Sequence, residues 1–423
     1  MDGEMTRWFV GIDWGSERHQ ACLLDAAGKI VGERVFTHGG TGLAALCDWL
    51  VSVAGGDPGA VAVAIEVPHG PVVDVLLDRG FAVHAINPKQ LDRLRDRFSV
   101  AGAKDDRRDA RVAASGLRTD PHLFRPVLAG DPAITELREW LRLADELQQE
   151  RVRLGHRMRQ QLWRYYPQLL ELADGDLAAE WVLDLWSMVP TPAQAARLRE
   201  ATLAKLFRQH RIRRLDAATA LVTLRQPAIR GAAGVNEAAM LHLRSLIARL
   251  RLANREFQQA ERRLEELCAT LIKSAPTVED SGSGRPSDAA ILRSLPGVGT
   301  VTLAALLTEA AGPFARRDYA ALRTLSGVAP VTKRSGKSCV VVMRYAAQNR
   351  LRQALFHWAR VAVQRDPKSH ARYEALRARG HSYGRALRGV ADRLLGLACV
   401  LLQQQNLFDP EHGATAAPAT GIS

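Results

Sequence analysis

A chain of 423 residues exceeds the size of a single hydrophobic core, and its 47% hydrophobic and 24% charged residues are typical of a globular protein with two or three domains. Its net charge of +13 and pI near 10.0 are unusual for a metabolic enzyme and favour a polyanionic partner, because cationic surfaces release counterions from phosphates. The five cysteines show no CxxC spacing, and no signal peptide or bilayer-length apolar run is found, so we expect a bacterial cytoplasmic protein without a zinc site or a membrane partner.

The first 125 residues alternate between strand and helix patterns. Residues 8–13, 21–24 and 30–36 predict three strands, and a helix pattern over 43–50 precedes a buried strand over 61–66. A helix over 72–78, a strand over 81–86 and another helix complete this α/β order. Two of the strands end in an acid, Asp13 and Glu66, at the edge where open α/β sheets place their ligands.

A cluster of acids follows in residues 104–111, which read KDDRRDAR. In a helix, Asp106 and Asp109 are three residues apart and share one face, while Asp105 and Asp109 have the equally acceptable four-residue spacing. Hard divalent cations take such carboxylate oxygens as ligands. The alternative is a solvated helix start, whose acids interact favourably with the helix dipole.

Acids from the two strands and the helix could meet at one edge of the predicted sheet. Four carboxylates in one place repel one another and require cations. The arrangement suits phosphoryl chemistry with two metal ions roughly 3.5–4 Å apart, one activating the attacking oxygen and one stabilising the leaving oxygen.

Four motifs of this region resemble the RuvC-like, RNase H-fold domain of IS110-family DEDD transposases: GIDWGS (11–16), AIEVPHG (64–70), INPKQ (86–90) and KDDRRDAR. The resemblance implies a catalytic site with two Mg²⁺ ions, held by Asp13, Glu66, Asp106 and Asp109. The family pattern D-x-x-D-A-R falls on residues 106–111, which leaves Asp105 as an extra acid. His69 follows the family's glutamate, and we expect it to be a surface or substrate-side residue rather than a ligand.

Residues 126–275 are predicted to be a helical coiled-coil region. Pro132 begins one long helix pattern, and a heptad seam runs from Leu243 to Leu271. The two helices can pair within the chain or with another protomer. Residues 174–234 form an insert with its own helix signals and a basic run over 208–214, which is either a nucleic-acid contact or a solvated face. A Gly/Ser/Pro-rich linker over 276–287 ends the region.

Residues 288–408 are predicted to be a mainly helical C-terminal domain, and 409–423 a disordered tail. LPGVG at 295–299 indicates a helix-hairpin-helix element, whose glycines let backbone N–H groups approach a phosphate, or an ordinary turn between helices. The stretch from LPGVG through RSGKS (334–338) resembles the C-terminal transposase domain of the same family, whose catalytic serine falls on Ser335. Ser338 is the alternative, and spacing alone predicts only a polar loop residue.

The resemblance implies a site-specific DNA recombinase of an insertion sequence, associated with the nucleoid during activity. Ser335 would attack a DNA phosphate beside the metal-bound acids of another protomer, so a dimer or tetramer is expected. A structured noncoding RNA, the bridge RNA, would pair with donor and target DNA. The candidate nucleic-acid contacts are Arg111, Gly297, Gly299, Lys333, Arg334, Lys337 and Arg344.

Three other functions are compatible with parts of the sequence. A RuvC-type structure-specific endonuclease would use water and need only the acids. An actin-like phosphotransferase is suggested by GIDWGS, but it needs a second phosphate loop that nothing after residue 125 supplies. A noncatalytic nucleic-acid binding protein could retain the fold without the chemistry.

Overall fold

The computed structural model describes residues 8–97, 105–127, 130–227, 229, 234–273, 285–336 and 338–411. The chain divides into two compact units, Met1–Asp131 and Pro132–Ser423. Most of the predicted linker and tail, together with Lys337, lies outside the described residues. None of the described helices is both long and apolar enough to cross a membrane.

The first unit is built on a six-stranded sheet in the order β3-β2-β1-β4-β5-β6. β1 pairs antiparallel with β2 and parallel with β4, and β4 pairs parallel with β5. The three-strand meander, the buried strand predicted over 61–66 and the strand predicted over 81–86 are therefore confirmed, and a short antiparallel edge strand, β6, is added. The strands are β1 (Trp8–Trp14), β2 (Arg18–Asp25), β3 (Ile30–Thr37), β4 (Val61–Ile65), β5 (Ala82–Ala85) and β6 (Arg125–Pro126).

Four helices accompany this sheet: α1 (Gly40–Val53), α2 (Pro71–Asp78), α3 (Pro88–Asp96) and α4 (Asp106–Thr119). One core cluster joins the sheet to α1 and α2, and a second joins it to α3 and α4. The face of α4 that meets the sheet is made of small residues, including Ala110 and Ala114, which are fully buried. This small-residue face allows the helix to approach the strands closely.

Two long antiparallel helices dominate the second unit, and five shorter helices connect them. The seam predicted from the heptad pattern is buried between the long pair, from Leu243 to Leu267, so the helices pair within the chain. Arg151 donates from Nε to Asn254 Oδ1 at 2.8 Å across this pair. The helices are α5 (Pro132–Tyr165), α6 (Gln168–Ala173), α7 (Glu180–Met188), α8 (Pro192–Ala195), α9 (Glu200–Gln209), α10 (Ala217–Leu224) and α11 (Val235–Lys273).

The two ends of the long helical pair take part in different cores. Residues 154–165 of α5 and 239–250 of α11 pack with α6–α10 of the insert. Residues 137–147 of α5 and 260–268 of α11 pack instead with the C-terminal helices. The sequence predicts the coiled coil and the C-terminal domain as separate regions, whereas in the structure they share this core.

The C-terminal part is helical apart from one two-stranded hairpin. Its strands, β7 (Val331–Ser335) and β8 (Ser338–Val342), pair antiparallel with Ser335 opposite Ser338. The helices are α12 (Asp288–Ser294), α13 (Thr300–Glu309), α14 (Ala311–Ala315), α15 (Tyr319–Ser326), α16 (Asn349–Arg365), α17 (Pro367–Ala378) and α18 (Tyr383–Gln404).

Candidate active site

The carboxyl ends of β1 and β4 lie side by side. Ile12 is in register with Ile65 in this parallel pair, so Asp13 and Glu66 follow at neighbouring positions. Neighbouring strands are about 4.8 Å apart, which brings the two acids to the same edge of the sheet. Both residues are partly exposed, as an edge that receives a ligand requires.

Helix α4 supplies the other acids in three different environments. Asp105 is the N-cap, and its carboxylate accepts a hydrogen bond from the backbone N–H of Arg107 at 3.2 Å. Asp106 is the first helical residue and is exposed, whereas Asp109 is only 2% exposed. The capping role explains the third acid of the cluster, and it leaves Asp106 and Asp109 as the pair available for chemistry.

A close backbone contact fixes the position of Asp109 over the sheet. A Cβ atom added to Gly11 would lie 1.9 Å from the carbonyl oxygen of Ala110, so only glycine permits this approach. Gly11 is two residues before Asp13 on β1, and Ala110 directly follows Asp109. The contact therefore ties the start of α4 to the strand that carries the first acid.

Arg95 of α3 holds Asp109 in a two-pronged ion pair. Its Nε and Nη2 donate to Oδ1 and Oδ2 of Asp109 at 2.5 and 2.8 Å, the bidentate geometry that gives strong charge-assisted hydrogen bonds. Burial alone lowers the pKa of Arg95, but hydrogen bonding and charge from Asp109, together with Asp92 and Glu66, raise it. The guanidinium thus sits in the field of at least two of the predicted catalytic acids.

The acids share an edge but do not form a closed ligand group. In the parts of the chain that the structure describes, no three Asp, Glu, His or Cys side chains are grouped closely enough to hold a metal ion. Asp109 is occupied by Arg95 instead. The four-acid metal site therefore stays a prediction, and a metal ion on Asp109 would compete with Arg95 for its carboxylate oxygens.

Ser335 lies in the second unit, at the end of β7 where the hairpin turns. The next residue, Gly336, has a φ of 55° and nothing within 4 Å of an added Cβ, as a tight turn that extends into open space requires. Ser335 is exposed, together with Lys333 and Arg334 on the same strand. The hydroxyl is therefore accessible to a second molecule and flanked by cations.

Comparison with known proteins places this arrangement in a family. Residues 10–167 match the DEDD transposase model of the IS110 group, and residues 289–374 match the model described as transposase IS116/IS110/IS902 family. The chain is 32% identical over 422 residues to the mini-circle putative transposase for IS117 of Streptomyces coelicolor, an alignment that covers 95% of each chain. The chain belongs to the IS110 family of transposases.

Two other relatives match different shares of the chain. A putative transposase of Sinorhizobium fredii, y4uE, is 61% identical over 210 residues, which are 49% of this chain and 58% of that protein. The uncharacterized 43.6 kDa protein of insertion element IS110 from Streptomyces coelicolor is 26% identical over 418 residues, covering 96% of this chain. This transposase is accordingly a DNA recombinase of an insertion sequence, with an RNase H-like fold in its DEDD domain.

DEDD transposases use divalent metal ions, and the residues at the sheet edge fit such an ion in kind. The donors of Asp13, Glu66, Asp106 and Asp109 are carboxylate oxygens, which hard cations prefer. Asp109 already binds a cationic group at a buried position, with its side chain 3% exposed. A metal ion there would replace the Arg95 guanidinium as the charge partner of Asp109.

The predicted nucleic-acid contacts of the transposase differ in their surroundings. Arg111, Gly299, Lys333 and Arg334 are exposed and stay predictions. Gly297, by contrast, has a structural reason to be glycine, because its φ is 83° and an added Cβ would lie 2.8 Å from the backbone nitrogen of Ala362. The LPGVG turn therefore packs against α16 through Gly297, which weakens the prediction that this glycine contacts a phosphate.

Arg344 is the remaining described residue of that set. Its Nε donates to the carbonyl oxygen of Ala329 at 3.3 Å, so it links the segments that precede and follow the serine hairpin. Sequence reasoning identified neither this link nor Arg95, since both depend on pairing between distant segments. The hairpin itself had a local signal: β-branched residues on both sides of a two-residue glycine-containing turn.

Proposed function

We propose that this transposase cleaves and rejoins DNA with Ser335 as the nucleophile, and with Asp13, Glu66, Asp106 and Asp109 as the ligands of Mg²⁺. The observation that carries the proposal is the position of Ser335 at the exposed end of β7, beside Lys333 and Arg334. A serine in a helix core could not reach a DNA phosphate, whereas one at a hairpin tip can.

In the proposed cleavage step, the Oγ of Ser335 forms a bond to phosphorus, and the bond from phosphorus to one sugar oxygen breaks. The serine proton is lost and the leaving oxygen gains a proton, so one phosphodiester is exchanged for a phosphoserine ester and a sugar hydroxyl. The energy of the original ester is kept, and a new sugar hydroxyl can reverse the step and rejoin strands. Lys333 and Arg334 attract the phosphate and offset its negative charge.

The acids are proposed to act on the same phosphate. Bound Mg²⁺ supplies Lewis-acid stabilisation of the charge that develops on the phosphate and sugar oxygens. Gly11 and the α4 backbone position Asp109, and neighbouring strand ends position Asp13 and Glu66. Each acid therefore comes from an element whose place is set by core packing.

The same proposal includes a structured guide RNA and an assembly of two or four protomers. The net charge of +13 supports binding to nucleic-acid backbones without sequence recognition. Base pairing to RNA would then supply the sequence specificity that backbone contacts lack. Sequencing of the RNA that copurifies with the protein tests this part, and the absence of a reproducible RNA would contradict it.

The experiment for the nucleophile uses Ser335→Ala, with Ser338→Ala as the matched control in the neighbouring strand. We expect Ser335→Ala to abolish the covalent protein–DNA adduct and strand exchange, and Ser338→Ala to retain both. Denaturing electrophoresis of protein incubated with labelled donor DNA and Mg²⁺ detects the adduct. Unchanged cleavage by Ser335→Ala would instead identify a RuvC-type endonuclease that uses water.

A further inference from the structure

A small cavity lies at the base of the serine hairpin, and nothing in the proposed chemistry uses it. Its walls come from the turn before β7 (Ser326–Val328), from Met343 after β8, from α16 and from the first turns of α18. Its volume is about 210 Å³. That is below the roughly 300–1,000 Å³ of pockets for drug-sized ligands, so the cavity has room for one planar ring system.

Two arginines that line this cavity, and a third close to them, have no carboxylate partner among the described residues. Arg352 and Arg388 line it, and Arg385 is one helical turn before Arg388 on α18. In the part of the chain that the structure describes, no ion pair joins any of the three to an acid, whereas Arg317, Arg323 and Arg350 of the same unit pair with Asp288, Asp392 and Asp145. The cavity is therefore a site of unbalanced positive charge.

The contacts of these arginines leave donors for an anion. Arg388 donates from Nη1 to the sulfur of Met343 at 3.2 Å, a weak acceptor, and no other acceptor of this side chain is found among the described residues. Arg352 donates from Nη2 to the carbonyl oxygens of Arg344 and Tyr345 at 3.3 and 2.8 Å, while its buried Nε has no described partner. Burial, followed by repulsion from Arg385 and Arg352, lowers the pKa of Arg388. A buried donor such as the Nε of Arg352 is costly unless an acceptor satisfies it.

Aromatic side chains stand beside the same arginines. Phe356 lines the cavity, and its ring is 6.2 Å from that of Tyr383, edge to face. Tyr345, next to Arg352 in space, is 78% exposed. Exposed aromatic rings combined with arginines are the features that bind unstacked bases of single strands, through base stacking and phosphate contacts.

We propose that this cavity binds one unstacked nucleotide of the DNA strand that Ser335 attacks, with its base against the apolar wall and its phosphate on Arg352, Arg385 and Arg388. This rests on the proposed nucleophile for the identity of the strand. β7 spans about 13 Å from Val331 to Ser335, and Met343, which lines the cavity, directly follows the residue that pairs with Val331. At the B-form rise of about 3.4 Å per nucleotide, roughly four to five nucleotides cover the path from the cavity to the cleaved phosphate.

The first test measures anisotropy of fluorescent oligo-dT with the full chain in EDTA, so that neither metal nor cleavage is needed. Arg388→Met keeps the side-chain length but removes the charge, and Arg393→Met removes an equal charge from an exposed position on the same helix. We expect Arg388→Met to weaken binding at least about tenfold and Arg393→Met to weaken it far less. Equal effects of the two variants would overturn the proposal.

The second test separates the base from the phosphate. Gly384 lines the cavity in α18, so Gly384→Leu fills the cavity without changing its charge. The native protein should prefer oligo-dT over an abasic strand of equal length, and Gly384→Leu should remove this preference while leaving affinity for the abasic strand unchanged. A retained preference would refute the base site. Phe356→Ala replaces Gly384→Leu in this test if melting curves show that the latter does not fold.

The third test identifies the nucleic acid. The affinities of oligo-U and oligo-dT, each carrying the same label, are measured separately by anisotropy. A preference for oligo-U that Arg388→Met removes would reassign the cavity to RNA and overturn the DNA proposal. Because all three measurements are binding measurements without Mg²⁺, they can succeed even if Ser335→Ala leaves cleavage unchanged. Loss of the adduct in Ser335→Ala together with unaltered binding by Arg388→Met would reject the cavity site alone.

Discussion

The acids and the serine of this transposase are held by opposite means. Asp109 is buried, clamped by Arg95 and placed by a backbone contact to Gly11 that tolerates no side chain. Ser335 is exposed on a two-stranded hairpin, and a Cβ atom added to Gly336 beside it would have no other atom within 4 Å. An isolated hairpin is marginally stable in water, so its shape is open to change by a partner. The position of Asp109 is thus fixed by contacts within the first unit, whereas Ser335 lies on an exposed element with few such contacts.

The largest effect is expected when the charge of the buried acid, Asp109, is removed. We expect Asp109→Asn to reduce Mg²⁺-dependent DNA cleavage by about 10³-fold or more, since metal-bound charge stabilisation is worth several kcal/mol and each tenfold in rate costs about 1.4 kcal/mol. Asp105→Asn is the control, because asparagine also caps helices well. Cleavage of labelled donor DNA measures both. Full activity of Asp109→Asn would remove this residue from the catalytic set.

Two glycine substitutions compare packing in the two regions directly. Gly11→Ala should destabilise the first unit by about 1–3 kcal/mol, because the added methyl group overlaps the Ala110 carbonyl oxygen. Gly336→Ala should cost about 1–2 kcal/mol locally, for the left-handed backbone alone, without changing the unfolding of the first unit. Calorimetry of the full chain resolves the transitions. An unaltered first-unit transition in Gly11→Ala would show that α4 can move away from β1.

The Arg95 clamp predicts competition with a metal ion. Arg95→Gln should lower the Kd for Mn²⁺ by about tenfold, or about 1.4 kcal/mol. The reason is that Mn²⁺ then no longer has to displace the Arg95 guanidinium from Asp109. Arg97→Gln serves as the control, because Arg97 pairs with Asp120 instead. Titration calorimetry with Mn²⁺ gives the affinity independently of DNA cleavage. Weaker binding in Arg95→Gln would mean that Arg95 orients Asp109 for the metal rather than competing with it.

The smallest effect concerns pH and a buried histidine in the sheet. Burial first, and the neighbouring His38 second, lower the pKa of His19 below 6.5. Below about pH 6.5, His19 therefore gains a proton in the unfolded chain but stays neutral in the folded chain. The free energy of unfolding consequently falls as pH falls, by at most about 1.4 kcal/mol per pH unit. His19→Gln should reduce this slope in denaturant unfolding between pH 7 and 5, and exposed His69→Gln should not. Equal slopes in all three proteins would mean that His19 gains its proton in the folded chain as readily as in the unfolded chain.

Sequence patterns predicted the parts of the site that packing encodes locally. Asp13 and Glu66 follow apolar strands, and strand ends can be read from hydrophobic runs. The role of Asp105 as N-cap depends on where α4 begins, which residue spacing alone leaves open. The clamp on Asp109 joins residues 14 apart in two helices, and no periodicity encodes that pairing. The serine hairpin has β-branched residues around a glycine-containing turn, but its exposed strands lack the apolar alternation of a half-buried sheet, so spacing alone predicts only a polar loop there.

The helical hairpin of α5 and α11 separates two of the hydrophobic cores of the second unit. α5 has 34 residues, or roughly 50 Å, with the insert core at one end and the C-terminal core at the other. Matched removal of seven residues from each helix between these cores would bring them roughly 10 Å closer while keeping the heptad register. If DNA contacts both the insert and the part that carries Ser335, such shortened chains should join DNA substrates of a different length. The lengths of DNA that each shortened transposase still joins would then measure this separation.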